Sequence, residues 1–128
     1  MISEDKPYES LLAWKRADQF VIDVYSLTLN FPKHELYGLT SQLRRAAVSV
    51  PLNIIEGRAR KGTKEYLRFL YMARGSLSEC AYILDLSYRL TYLSQSDFLK
   101  LEELRNEVSY LLQRLIDSLS PTPSTPLS

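Results

Sequence analysis

A chain of 128 residues suits one domain around one core, and its 45% apolar and 24% charged content exclude a disordered or fibrous chain. A formal net charge of +1 excludes a protein that coats nucleic acid by bulk charge alone. A single cysteine, Cys80, excludes an intrachain disulfide and fits a reducing compartment, so a cytoplasmic location is the expectation.

In chain order, residues 1–10 read as an N-terminal extension, residues 11–119 as a helical domain and residues 120–128 as a tail. The opening Met-Ile-Ser-Glu-Asp-Lys-Pro is acidic and has no apolar centre, so it does not read as a signal peptide. The first helix is predicted from Leu12 to Asn30. Trp14, Ala17, Val21, Val24, Thr28 and Phe31 recur at helical spacing and mark its seam. Pro32 ends it, because proline disfavours helix in the residue before it.

The second helix is predicted from Leu39 to Arg60. Leu39, Leu43, Ala47, Val50 and Ile54 form one apolar strip, and Val48, Leu52 and Ile55 form a second on another side. Gln42, Arg45, Ser49, Asn53, Glu56 and Arg60 form a polar stripe between them. Pro51 falls mid-helix and should bend it, at about 3 kcal/mol. Gly62 reads as a C-terminal cap, and Thr63 as the N-cap of a third helix running to Tyr92. Tyr66, Phe69, Leu70, Ala73, Leu77, Cys80, Leu84 and Ser87 make its seam, with Gly75 expected at a close helix contact. The fourth helix, Ser96 to Ser118, carries Phe98, Leu101, Leu104, Val108, Leu111, Leu115 and Leu119, with Ser94 or Ser96 as its cap. The tail after Leu119 is rich in Pro, Ser and Thr and reads as disordered or extended. Four long helices with short connections predict an all-α, antiparallel up-down-up-down four-helix bundle.

Chemistry-bearing constellations are few. The one histidine, His34, sits in a Pro-flanked loop without a nucleophile, and Cys80 lies on an apolar seam. No catalytic residue, metal site or cofactor is expected. No apolar run approaches the roughly 18 residues a membrane span needs, so no membrane partner is expected. Charge is uneven, however. Residues 42–74 carry eight Arg and Lys against two Glu. Arg44, Arg45, Arg58, Arg60, Lys61, Lys64 and Arg68 are the candidate phosphate contacts, with Tyr66 and Tyr71 as stacking partners. The polar stripe Gln42, Arg45, Ser49, Asn53 and Glu56 reads first as a structural or subunit-interface network and second as a groove for a ligand. Seven tyrosines (8, 25, 37, 71, 82, 88 and 110) lie off the core seams, a composition favoured at protein interfaces.

Several runs carry a resemblance: Leu11-Leu-Ala-Trp-Lys-Arg-Ala17, Tyr37-Gly-Leu39, Gln42-Leu-Arg-Arg-Ala-Ala-Val-Ser-Val-Pro51, Asn53-Ile-Ile-Glu-Gly57 and Ala73-Arg-Gly-Ser-Leu-Ser-Glu79. In this order they resemble the small proteins encoded in intervening sequences of bacterial 23S rRNA genes, the S23 or intervening-sequence proteins. Ile55 stands where that family commonly has Ala. The resemblance implies a four-helix bundle assembled as a homopentamer, and no enzyme. RNA or DNA is the first expected partner and another protein the alternative.

Overall fold

The computed structural model describes residues 7–120, and the first six residues and most of the Pro/Ser/Thr-rich tail lie outside them. Four helices account for most of the described residues: α1 (Pro7–Thr28), α2 (Leu39–Arg58), α3 (Thr63–Arg89) and α4 (Gln95–Leu119). A 3₁₀ turn, Lys33–Glu35, lies between α1 and α2. There is no strand among the described residues.

Neighbouring helices run antiparallel, as their side-chain pairings show. Ser10 meets Arg58 and Thr28 meets Arg44 across α1 and α2. Ser49 meets Ser76 across α2 and α3, and Arg74 meets Gln113 across α3 and α4. Arg16 pairs with Glu107 at 2.9 Å to close α4 onto α1. The diagonal pairs do not touch at backbone level. The arrangement is an all-α four-helix bundle with up-down-up-down connectivity.

Each helix buries the stripe its spacing defines. All eight seam residues predicted on α3, from Tyr66 to Ser87, are buried, and Ile83 joins them. On α2 the core face is Leu43, Ala46, Ala47, Val50 and Ile54, with Pro51 accommodated inside the helix. The second strip stays outside: Leu52 and Ile55 are half exposed. On α1 the deepest residues are Ala13, Ala17, Phe20 and Val24, whereas Trp14 and Val21 are only partly buried. Four of the six residues predicted on this seam, Ala17, Val24, Thr28 and Phe31, are buried, and the other two pack partly buried against the core beside an outer face that is also apolar.

Helix ends differ from expectation in three places. α1 begins at Pro7, where the fixed φ of proline suits a first helical position. α2 stops at Ala59, which is right-handed, so Gly62 is not its cap. Gly62 instead precedes α3 with φ 85°, a conformation that favours glycine, and Thr63 is the first helical residue rather than the N-cap. Ser94 caps α4 as anticipated, its Oγ accepting from the Asp97 N–H at 3.0 Å.

Candidate nucleic-acid interface

The seven candidate cations do not form one patch. Two of them turn toward α1. Arg44 donates from Nε to Thr28 Oγ1 at 2.9 Å, and its guanidinium lies 4.6 Å over the Tyr25 ring. Arg58 donates from Nη1 to the buried Ser10 Oγ at 2.7 Å. Both are half-buried and tie α2 to α1. They are structural cations.

Four of the other five, Arg60, Lys61, Lys64 and Arg68, gather at the α2–α3 turn. Gly57 brings the helices together there: an added Cβ would meet Phe69 Cβ at 2.9 Å and Tyr66 Cδ1 at 3.0 Å. Two guanidiniums lie over the Phe69 ring at this close approach. Arg60 lies 4.7 Å from the ring centroid and Arg68 lies 4.6 Å from it. Each is also paired with a carboxylate three or four residues before it. Arg60 meets Glu56 at 2.9 Å, and Arg68 meets both Glu65 oxygens, at 3.2 and 3.1 Å. The Arg68 hydrogen bonds hold the Glu65 carboxyl below its ordinary value and raise Arg68. Lys61 and Lys64 are exposed, and neither is held by an ion pair or hydrogen bond to a described residue. No side chain caps the first N–H groups of α3 beside them. The turn therefore presents two lysines with no ion pair or hydrogen bond to a described residue, two oriented arginines and a positive helix end.

Tyr66 is 2% exposed and cannot stack on a base. Tyr71 is exposed, but Arg74 lies 4.9 Å over its ring. The ring beside the turn cations is Phe69, which sequence reasoning placed in the core; no sequence signal marked it as a platform.

The polar stripe lies along the α2–α3 groove. Asn53 Nδ2 donates to the Ser49 carbonyl at 2.8 Å and to Ser49 Oγ at 3.3 Å. Ser49 Oγ in turn bonds Ser76 Oγ on α3. Gln42, Arg45, Ser49, Ser76 and Glu79 line a shallow cavity of about 230 Å³. Ser49 and Asn53 are half-buried and link the helices, while Gln42, Arg45 and Glu56 are exposed. Arg45 and Glu79 face the same cavity without forming an ion pair. Ser76 and Glu79 complete this site from α3, which helical spacing on α2 alone could not show.

His34 is exposed, and Cys80 is enclosed in the core. Burial pushes the Cys80 thiol up to about 12, which leaves it protonated and inert at neutral pH. Among the described residues no group of three or more His, Cys, Asp or Glu is placed to hold a metal ion. No helix of the described residues is long and apolar enough to cross a membrane.

These features define a helical-bundle protein with a basic helix–helix turn. The chain belongs to the family of 23S rRNA-intervening sequence proteins, whose model matches residues 9–114. The fold is similar to the crystal structure of a protein of unknown function from the S23 ribosomal protein family of Bacteroides thetaiotaomicron. That likeness has a TM-score of 0.79 at 17% identity and covers 85% of this chain and 98% of that one. At this identity it shows the fold alone. No curated protein matches the chain.

Proposed function

We propose that the protein is a non-enzymatic, cytoplasmic, ring-forming bundle, a homopentamer, that binds the phosphate backbone of RNA or DNA through its α2–α3 turn. The observation that carries this reading is the pair Lys61 and Lys64, exposed and in no ion pair with a described carboxylate, beside the uncapped start of α3. Arg60 and Arg68, over the Phe69 ring and paired with Glu56 and Glu65, supply two further exposed cations with N–H donors to spare. Arg45 lies on the same side of α2 as Arg60 and extends the surface along the groove. Repetition of this turn around a ring multiplies a modest local charge into a polyvalent one. Assembly itself is supported by the second apolar strip of α2, which the bundle leaves uncovered.

The test is binding of labelled single-stranded RNA and duplex DNA across a salt series, by the parent and by Lys61→Ala/Lys64→Ala. The expected result is binding that weakens steeply with salt, with a slope lowered by about one for each lysine removed. Absence of binding at low salt would sink the reading. It would favour a protein-interaction scaffold, for which the exposed Tyr37, Tyr82 and Tyr110 are the supporting observation.

A further inference from the structure

The end of the bundle where α1 passes to α2 carries a cavity that the proposed phosphate surface does not use. It lies between the end of α1, the 3₁₀ turn and the first two turns of α2, with a volume of about 300 Å³. Its walls are largely apolar, and Leu29, Phe31 and Leu36 supply most of them. Phe31 is buried, but Leu29 is 77% exposed and Leu36 47% exposed, so the bundle leaves the rim uncovered. A concave apolar site of this size with a few polar groups is the usual form of a small-molecule site.

The polar groups on its walls are cationic or unsatisfied. Arg44 lines the cavity from α2 and Lys33 from the 3₁₀ turn. Arg44 is tied to α1 through Nε alone, which donates to Thr28 Oγ1 at 2.9 Å. A guanidinium has five N–H donors, so four remain on Nη1 and Nη2, and none is bonded to a described residue. Lys33 is exposed and forms no ion pair with a described residue. Thr40 lines the same cavity from the first turn of α2, where the helix dipole favours an anion. It is 2% exposed, and its hydroxyl is buried without a hydrogen-bond partner. Such a hydroxyl is costly, and valine would fill the same space without the cost. Among the described residues no carboxylate lines the cavity. Two acids stand near it in sequence, and both are engaged elsewhere. Glu35 accepts from the Leu39 N–H and the Tyr92 hydroxyl, and Asp23 accepts from Gln19 Nε2 at 2.9 Å. His34, beside Lys33, is exposed and lies against Glu35.

We infer that this cavity binds a small carboxylate with an apolar body, of the class of short fatty acids and aromatic acids. The Nη donors of Arg44 and the Lys33 ammonium hold the carboxylate, and the body rests on Leu29, Phe31 and Leu36. The planar fork of arginine suits a carboxylate, and two cations with no acid among them select an anion. The apolar walls select against inorganic phosphate and against a nucleic-acid backbone, either of which would leave them bare. Roughly ten non-hydrogen atoms fill the cavity at about 30 Å³ each, the size of octanoate. The inference is independent of the phosphate surface. α2 begins at the cavity and ends at the α2–α3 turn, so roughly 30 Å of helix separates the two sites.

The experiment is calorimetric titration of the full chain with octanoate and with three controls. Octanol lacks the charge; acetate and inorganic phosphate lack the apolar body. Octanoate is expected to saturate one site per chain, about tenfold more tightly than any control. Arg44→Gln would also cut the tie to Thr28, so the variants are placed around it. Lys33→Gln and Leu29→Glu alter exposed side chains and leave helix content and melting as in the parent. The first weakens octanoate binding about threefold by removing a cation. The second weakens it about tenfold by removing apolar wall and adding a like charge. Thr40→Val weakens binding without lowering the melting temperature, a split that a hydroxyl kept for folding would not give. Lys61→Ala/Lys64→Ala binds octanoate as the parent does. Octanol binding as tightly as octanoate overturns the anion site, and phosphate binding as tightly overturns the apolar body. Failure of octanoate to saturate at millimolar concentration overturns the inference outright. So does binding that ignores Lys33→Gln, Leu29→Glu and Thr40→Val, or that disappears with Lys61 and Lys64.

Discussion

Glu35 and Tyr92 join the two loops at one end of the bundle: Glu35 Oε2 accepts the Tyr92 hydroxyl at 2.9 Å. The other carboxylate oxygen accepts the Leu39 N–H at 3.0 Å and so caps α2. The backbone bond from Leu39, then the Tyr92 bond, hold the Glu35 carboxyl below its ordinary 4.5. The same contact raises Tyr92. A carboxylate with a lowered folded-state value stabilises the fold above its unfolded value, and that stability is lost as pH falls through the folded one. Glu35→Gln therefore melts below the parent at neutral pH. The gap between the two narrows as pH drops below about 4.5. Thermal melts from pH 7 to pH 3 check this; a gap that does not change with pH refutes it.

Gly57 and Gly75 make opposite predictions although both lie inside helices. An alanine Cβ at 57 would sit 2.9 Å from Phe69 Cβ and 3.1 Å from the Tyr66 carbonyl oxygen. Neither contact is the free end of a flexible chain, so the helices must separate. Gly57→Ala is expected to destabilise by about 1–3 kcal/mol, the usual range for overpacking. Gly75→Ala meets open space and is expected to stabilise the isolated subunit by about 1 kcal/mol through helix propensity. Urea titration of both variants, under conditions where the chain is monomeric, separates the two effects.

The long seam of α3 was legible because it is regular and uninterrupted, and every residue it named is buried. The seam of α1 was legible only in part: Ala17, Val24, Thr28 and Phe31 are buried as its spacing implied, but Trp14 and Val21 are only partly so, for a physical reason. That helix is apolar on its core side and again on its outer side, so spacing alone put Trp14 and Val21 on the seam and passed over Ala13 and Phe20. Hydrophobic periodicity reports burial without saying what does the burying. The basic segment suffered a related ambiguity. Counting charges could not show that Arg58, four residues after Ile54 and hence on the core side, reaches Ser10 on α1. Nor could it show that Arg44 rests on Thr28 and Tyr25. Those partners lie 48 and 16 residues away and depend on the tertiary pairing. The turn itself, with Lys61 and Lys64, was readable because its position needs only the two flanking helices.

Cys80 gives a direct probe of core opening. Its thiol is enclosed and pushed up to about 12 by burial, with Glu79 acting in the same direction. At pH 8 the native protein therefore holds almost no thiolate for a disulfide reagent to capture. Modification should be slow in buffer and accelerate through the urea transition, tracking the loss of helix. Rapid labelling in buffer would mean that α3 opens locally far below the global unfolding free energy.

Phe69 connects packing to the proposed phosphate surface. It is largely buried, yet two guanidiniums lie over its ring, Arg60 at 4.7 Å and Arg68 at 4.6 Å. Leucine at this position keeps the apolar contact but has no π face. Each lost cation–π contact costs about 0.5–1 kcal/mol at an exposed site. Phe69→Leu should therefore destabilise by about 1–2 kcal/mol once the change of shape is included. Arg60 and Arg68 keep Glu56 and Glu65 but lose the platform that fixes their orientation. The expected consequence is roughly fivefold weaker nucleic-acid binding, with the salt slope nearly unchanged because no charge is removed. Lys61→Ala/Lys64→Ala should do the reverse, lowering the slope with little change in stability. Parallel denaturation and binding titrations of the two variants distinguish orientation from charge. Unchanged affinity in Phe69→Leu would place the arginine platform outside the interface and leave the lysines to carry it.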